Sequence, residues 1–234
     1  MDLFYCPEIS GPEIFLPDDE SRHCTRVLRL RKNDEIYLTD GKGMMCRAIL
    51  LETDPGKTRV KIIETMTDYR KRKYRLHIAL APTKNSERFE WFLEKATEIG
   101  IDEITPLICA RSERETVNFN RGERILISGI KQAQRAYIPI LNPAGHFREI
   151  LSGGDAKSKI ITHCNTRSLP LINERFDRGA PVIILIGPEG DFTMEEVESA
   201  SAGGFAEASL GPFIYRTETA GIMACHAFNS YFGQ

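Results

Sequence analysis

The chain has 234 residues, 41% of them hydrophobic, and its 31 basic and 33 acidic side chains leave a formal net charge of −2. That length holds one large domain or two smaller ones, and the near-neutral balance excludes a polycation that binds nucleic acid indiscriminately. No stretch is apolar and long enough to span a bilayer, and acidic Asp2 stands where a signal peptide carries its basic head, so the cytoplasm is the expected compartment.

Up to about Thr67 the chain reads as β-rich. Glu13-Ile14-Phe15-Leu16, Glu35-Ile36-Tyr37-Leu38, Met44 to Glu52 and Thr58 to Glu64 are strand-like, with turn dipeptides at Asp40-Gly41 and Pro55-Gly56. A short helix over Glu20 to Leu30 interrupts them. Short strands with tight turns predict a small β-barrel. The polar run Asp68 to Lys73 is the expected linker, dividing a first domain, 1-70, from a second, 74-234.

From Tyr74 on, strands and helices alternate. Leu76 to Ala81, Ile104 to Cys109, Lys159 to Cys164, Val182 to Ile186 and the weaker Ala206 to Leu210 are strand-like. Ser86 to Ile99 is an amphipathic helix with Phe89, Phe92, Leu93, Ala96 and Ile99 on one stripe and Gly100 as its stop. Further helices are expected near Arg121 to Tyr137, near Pro170 to Phe176 and over Thr217 to Tyr231. The pattern predicts an α/β domain whose parallel sheet is covered on both faces.

The cysteines Cys6, Cys24, Cys46, Cys109, Cys164 and Cys225 are scattered, without metal-ligand spacing, and the histidines are equally dispersed. A disulfide framework, a zinc site and a Cys/His nucleophile are therefore not expected. Basic residues fall in three clusters: Arg22, Arg26, Arg29, Arg31 and Lys32; Arg70-Lys71-Arg72-Lys73; and Arg111, Arg114, Arg121 and Arg124. A charge run is commonly a solvated face, but three of them in a nearly neutral chain fit a patterned phosphate footprint and salt-sensitive RNA binding.

Two glycine-punctuated turns carry the chemistry. Val182-Ile183-Ile184-Leu185-Ile186 is a run of aliphatics suited to a strand buried on both faces, and Gly187-Pro188-Glu189-Gly190 follows it. Thr193 with Glu196 then forms a capping box that opens a helix. The second turn, Leu210-Gly211-Pro212-Phe213-Ile214-Tyr215, leads into Arg216-Thr217-Glu218-Thr219-Ala220 at the head of the last helix. Thr217 is a good cap and Glu218 suits the helix dipole, but Arg216 does not, which points to an anionic partner nearby. Bare backbone at strand ends is how an α/β enzyme grips a small cofactor.

These turns resemble the signature loops of the SPOUT methyltransferases, and more specifically of the RsmE family, which methylates N3 of a uridine in 16S ribosomal RNA. The resemblance extends through Ser21-Arg22-His23 with Val27-Leu28-Arg29, Ala81-Pro82-Thr83-Lys84 with Arg88-Phe89-Glu90, Lys95 to Ile101 with Pro106 and Arg111-Ser112, and Lys131 to Arg135 with Pro139. Two places depart from it: Met1-Asp2-Leu3-Phe4-Tyr5, which lacks an early arginine, and Phe213-Ile214-Tyr215.

The resemblance implies a PUA-like barrel followed by a SPOUT domain whose last helix threads a deep trefoil knot. It implies a homodimer with Lys131 to Pro139 and the last helix at its interface, and a partner RNA in the assembled or nearly assembled small ribosomal subunit. The implied cofactor is S-adenosylmethionine, with no metal, held by His163, Cys164, Asn165, Leu185, Ile186, Gly187, Pro188, Glu189, Gly190, Leu210, Gly211, Ile214, Arg216, Thr217, Thr219 and Ala220. Arg216 is the expected cation for a uracil oxygen, and Glu218 or Glu189 the proton acceptor. RNA contacts are expected at Arg22, His23, Arg26, Arg29, Lys84, Arg88, Arg111 and Arg135. Two alternatives stand beside this reading: a SPOUT enzyme of other specificity, such as ribose 2′-O-methylation, and a non-catalytic RNA-binding assembly factor. A Rossmann dehydrogenase is disfavoured by the missing glycine fingerprint.

Overall fold

The computed structural model describes residues 2–152, 158–165, 168–177 and 181–233. Met1 and Gln234, where the expected domains begin and end, lie outside the described residues. Contacts divide the chain into two compact units. One holds the residues through Lys71 together with Ile127–Ile138, and the other holds Arg72–Leu126 and the residues from Pro139 on. The inclusion of Ile127–Ile138 in the first unit is a long-range feature absent from the linear division at residues 70 and 74.

In the first unit, β1 (Leu3–Tyr5), β2 (Glu13–Phe15), β3 (Glu35–Thr39), β4 (Met45–Glu52) and β5 (Arg59–Met66) form one sheet in the order β1-β3-β4-β5-β2. β1 runs parallel to β3, and the other pairings are antiparallel. Alternate residues of these strands bury Phe4, Ile14, Ile36, Leu38, Ala48, Leu50 and Val60 in one core, joined by the thiols of Cys6, Cys24 and Cys46. Burial pushes those three thiols above their ordinary pKa, as expected of cysteines that act as small hydrophobes. The short β1 escaped the sequence reading because three residues are too few to show a period. The helix expected over Glu20 to Leu30 is instead a short α1 (Asp18–Arg22) that widens into a π-turn over His23–Val27. Ala136 is buried in this unit, and Lys131 Nζ lies 2.7 Å from the buried carboxylate of Glu20.

In the second unit, β6 (Leu76–Leu80), β7 (Glu103–Ile108), β8 (Ile140–Leu141), β10 (Ser158–Thr162), β11 (Val182–Ile186) and β12 (Ala206–Ala208) make a parallel sheet in the order β12-β10-β11-β6-β7-β8, with β9 (Gly145–His146) also pairing β7. Every residue of β11 is buried, as the aliphatic run predicted. Its helices are α2 (Ser86–Ile99), α3 (Phe119–Gln132, whose last turns belong to the first unit), α4 (Phe147–Ser152), α5 (Met194–Ala202) and α6 (Thr217–Phe232). Asn85 caps α2 by accepting the Glu87 N–H at 3.0 Å, and Gly100 ends it at φ 125°. α6 packs closely on α2 and β6 through Gly221, where an added Cβ would lie 2.4 Å from Leu80 Cδ1 and 2.7 Å from the Phe92 ring.

Two expected helices are shorter than their patterns. α3 stops at Gln132 because Gln134 adopts φ 53°, and only a single 3-10 turn, Ile172–Arg175, stands near Pro170 to Phe176. The basic run Arg70 to Lys73 is in part structural: Arg72 reaches Asp102 and Asn229, each at 2.8 Å, with a side chain 11% exposed.

Candidate functional site

The carboxyl ends of β10, β11 and β12 deliver three loops to one place, the usual ligand position of an open parallel sheet. After β11, Gly187 follows a fully buried strand, and a Cβ on it would press the Phe192 ring at 3.1 Å. Asp191, at φ 59°, completes the turn with its N–H on Pro188 O at 2.9 Å. The expected capping box then opens α5: Thr193 Oγ1 accepts the Glu196 N–H at 3.1 Å, and Glu196 Oε2 accepts the Thr193 N–H at 2.9 Å. The same glutamate accepts the Ala110 N–H at 2.8 Å.

After β12, Ser209 Oγ accepts the Gly211 N–H at 3.1 Å and donates to Gly211 O at 2.9 Å, bending the chain sharply. Gly211 sits at φ 142°, where a Cβ would be strained and would meet Tyr215 Oη at 3.0 Å. The turn ends at Arg216, the residue before the first helical residue of α6, and Thr217 Oγ1 donates to Gly187 O at 3.1 Å. That bond joins the two glycine turns directly.

The third loop follows β10. His163 is buried, its Nδ1 accepts the Asn165 N–H at 3.2 Å, and Nε2 therefore carries the proton donated to Glu207 Oε2 at 3.0 Å. Cys164 N donates to Asp191 Oδ2 at 2.8 Å, and Asn165 Nδ2 to Phe192 O at 3.1 Å, so this loop is pinned to the turn after β11. Burial, and then the charge of Asp191, raises the Cys164 thiol, which keeps it protonated and unsuited to act as a nucleophile.

Together the loops enclose a cavity of about 510 Å³. His163, Cys164, Ile186, Gly187, Pro188, Glu189, Gly190, Leu210, Ile214, Arg216, Thr217 and Ala220 all line it, each singled out from sequence. Thr162, Asp191, Ser209, Phe213 and Tyr215 also line it; Asp191 and the Phe213-Ile214-Tyr215 filling belonged to the motifs, whereas Thr162 and Ser209 carried no local signal. Leu185, Asn165, Gly211 and Thr219, also singled out from sequence, are not on the lining. Leu185 is a core residue whose carbonyl accepts from Thr162 Oγ1 at 3.2 Å.

The charged candidates separate by geometry. The Arg216 side chain is exposed on the lining and makes no hydrogen bond or ion pair among the described residues, while its carbonyl accepts the Ala220 N–H at 2.8 Å. Glu189 is also exposed on the lining, with Oε1 accepting the Lys84 N–H at 3.0 Å. Glu218 is 7% exposed and lies off the lining, with Oε1 3.8 Å from Arg88 Nε and Oε2 buried without a hydrogen-bond partner among the described residues.

Three of the expected RNA contacts also have partners within the chain. Arg111 Nη1 donates to Gly190 O at 2.7 Å, Lys84 Nζ pairs with Glu113 at 2.8 Å, and Arg88 faces Glu218. Arg22, Arg26 and Arg29 are exposed on α1 and the segment after it, with His23 edge-on to Phe4 at 6.0 Å, and Arg135 is half-buried. These five belong to the first unit, while Lys84, Arg88 and Arg111 belong to the second.

A parallel sheet with glycine-cradled loops at adjacent strand ends, joined at the head of the last helix, defines a class. Residues 70–229 match the model of an RNA methyltransferase domain, and residues 16–63 that of an RNA methyltransferase PUA domain. The curated ribosomal RNA small subunit methyltransferase E of Mesomycoplasma hyopneumoniae is 30% identical over 84% of this chain and 86% of its own. A solved structure of a probable rRNA-methyltransferase from Porphyromonas gingivalis is 38% identical, covers 100% of this chain and 99% of its own, and superposes with a TM-score of 0.93. The ribosomal RNA small subunit methyltransferase E of Neisseria gonorrhoeae, solved bound to S-adenosyl methionine, is 29% identical over 98% of this chain and 97% of its own, with a TM-score of 0.90. The chain belongs to the ribosomal RNA small subunit methyltransferase E family.

Proposed function

We propose that the protein is an S-adenosylmethionine-dependent methyltransferase that methylates N3 of a specific uridine in 16S ribosomal RNA. The observation that carries this reading is the convergence of three backbone-rich loops on a cavity with an arginine on its lining, Arg216, whose side chain has no partner among the described residues. A relative matched over 98% of this chain was solved with that cofactor bound. The cavity's volume falls in the range of small-molecule sites, roughly 300–1,000 Å³. Its donor set fits the cofactor. Gly187 and Gly190 present backbone on the lining, carbonyls and the carboxylates of Glu189 and Asp191 suit a cationic sulfonium, and Ile186, Leu210 and Ile214 offer apolar surface to a base.

The cofactor supplies an electrophilic methyl group on sulfur. The residues of this chain then have two tasks. Neutral uracil holds a proton on N3 and is a poor nucleophile until that proton leaves. Glu189, on the lining with its other oxygen held by Lys84 N–H, accepts the proton directly or through water. Arg216 opposes the negative charge that develops on a uracil carbonyl oxygen. Burial and position off the lining make Glu218 the weaker acceptor, and its part is to hold the head of α6.

The PUA-like unit and the exposed cations of α1 and its following turn hold RNA phosphates while the base is extruded into the cavity. The enzyme works in the cytoplasm on assembled or nearly assembled small subunits. It is a homodimer that uses the outward face of α6, and α6 threads a loop to make a trefoil knot. Purified protein incubated with labelled cofactor and small subunits lacking the modification is expected to place label on uracil N3, located by mass spectrometry of nucleosides. Label on ribose, or RNA binding without label, would overturn the assignment.

A further inference from the structure

We propose that a second cavity in the same unit, about 350 Å³ in volume, receives a guanine base of the substrate RNA near the methylated uridine, an inference that rests on the reading above. Its apolar floor is Phe89 and Leu93 of α2 with Leu141 of β8. Gly122 of α3 closes on that floor so tightly that a Cβ would come 2.7 Å from Leu141 Cδ2 and 3.3 Å from Leu93 Cδ1. Charges of both signs stand around the floor: Glu87 and Glu90 against Arg114 and Arg121.

This lining selects the ligand. A phosphate would face two carboxylates and a cation two guanidinium groups, whereas a neutral planar group with donors and acceptors side by side meets complementary partners throughout. Arg121 Nε and Glu90 Oε1 form an ion pair at 2.7 Å, and among the described residues neither Glu90 Oε2 nor the two terminal nitrogens of Arg121 have protein partners. An acceptor and donors are thus presented next to each other. Among the RNA bases, guanine alone carries two N–H donors, N1 and N2, beside a carbonyl acceptor, O6, along one edge. A carboxylate takes the first pair and an arginine the carbonyl, and unstacked RNA bases are read on such edges.

RNA, as the source of that base, is argued from the connection to the reaction cavity. Arg114 lines the second cavity and donates from Nε and Nη2 to Lys84 O at 3.3 and 3.2 Å. Lys84 N in turn donates to Glu189, which lines the first cavity. One residue therefore lies between the two sites, placing them where neighbouring nucleotides of one strand can occupy both.

The protein's single tryptophan, Trp91, is 43% exposed on α2 and follows Glu90 in sequence, so it serves as the fluorescent probe. With the first cavity saturated by S-adenosylmethionine, guanosine 5′-monophosphate is expected to change Trp91 fluorescence saturably, about tenfold or more tighter than the adenosine, cytidine and uridine monophosphates. A 16S ribosomal RNA fragment spanning the methylated uridine is expected to displace it. Glu90→Gln, nearly isosteric and still able to accept from Arg121, is expected to abolish the preference while leaving cofactor affinity unchanged. Equal responses to all four nucleotides, no response to any, an undiminished preference in Glu90→Gln, or failure of the RNA to displace guanosine monophosphate would each overturn the proposal. Methyl transfer measured on the same preparation separates the two readings. Transfer without base preference removes the guanine site alone, while absence of transfer to unmodified small subunits removes the activity on which it rests.

Discussion

Arg216 precedes the first residue of a helix of 16 residues, where the dipole disfavours a cation by about 0.3–1 kcal/mol. It has no compensating ion pair among the described residues, so its placement favours an incoming negative charge. Arg216→Ala is therefore expected to lower the single-turnover methylation rate by about 10²–10³-fold, the usual cost of one oxyanion donor. Cofactor affinity by calorimetry should change little, and a variant of equal turnover would remove Arg216 from the reaction. The two glutamates divide in the same way. Glu189→Gln should lower the single-turnover rate by about 10²–10⁴-fold, whereas Glu218→Gln should leave that rate nearly unchanged. Sequence marked both glutamates equally, because spacing within the turns carries no information about which side of α6 a side chain faces. Only the packing of α6 on α2, which buries Glu218 beside Arg88, separates them.

At the level of elements, the seating of α6 depends on a missing side chain. Alanine favours an isolated helix over glycine by about 1 kcal/mol, yet at Gly221 its methyl would press Leu80 and Phe92, both fully buried. Gly221→Ala is expected to cost a net of about 1–3 kcal/mol, read as a lower denaturation midpoint; a higher midpoint would show that α6 is loosely seated. Within the sheet, His77 of β6 lies 2.8 Å from Thr105 of β7, and burial, assisted by Arg75 and opposed by Glu103, pushes its pKa below the ordinary value. As pH falls through about 6.5, the unfolded chain takes up this proton before the folded one does, so stability declines below that pH and is unaffected above it. His77→Gln should flatten that decline in denaturation curves recorded between about pH 7 and pH 5. Strongly patterned elements were readable in advance: α2 and β11 fall on their expected residues because a capped amphipathic stripe and an aliphatic run each admit one solution. The overextended α3 and the lost helix near Pro170 lacked such stops, and Gln134 turned left-handed without a glycine to announce it.

Across the whole molecule, local chemistry was more legible than long-range partnership. Most of the cavity lining could be named from two motifs, since glycine, proline and capping residues leave their mark within a few positions. What the motifs did not disclose was the far side of each contact. Arg72 of an apparently solvated basic run holds Asp102 and Asn229, Arg111 holds Gly190 O, and Ile127–Ile138 belongs with strands some 60 or more residues earlier.

The distribution of sulfur has a practical consequence. Five of the six cysteines are buried, and the sixth, Cys164, is exposed on the wall of the cavity at the carboxyl ends of β10, β11 and β12. A maleimide dye should therefore attach to native protein at one position, slowly at neutral pH and faster in alkali because the thiol titrates high. S-adenosylmethionine should shield that sulfur, turning labelling speed into an occupancy gauge; modification at several cysteines, or indifference to the cofactor, would contradict the assignment. The fold has in effect installed its own attachment point for a fluorophore, with no engineered thiol required.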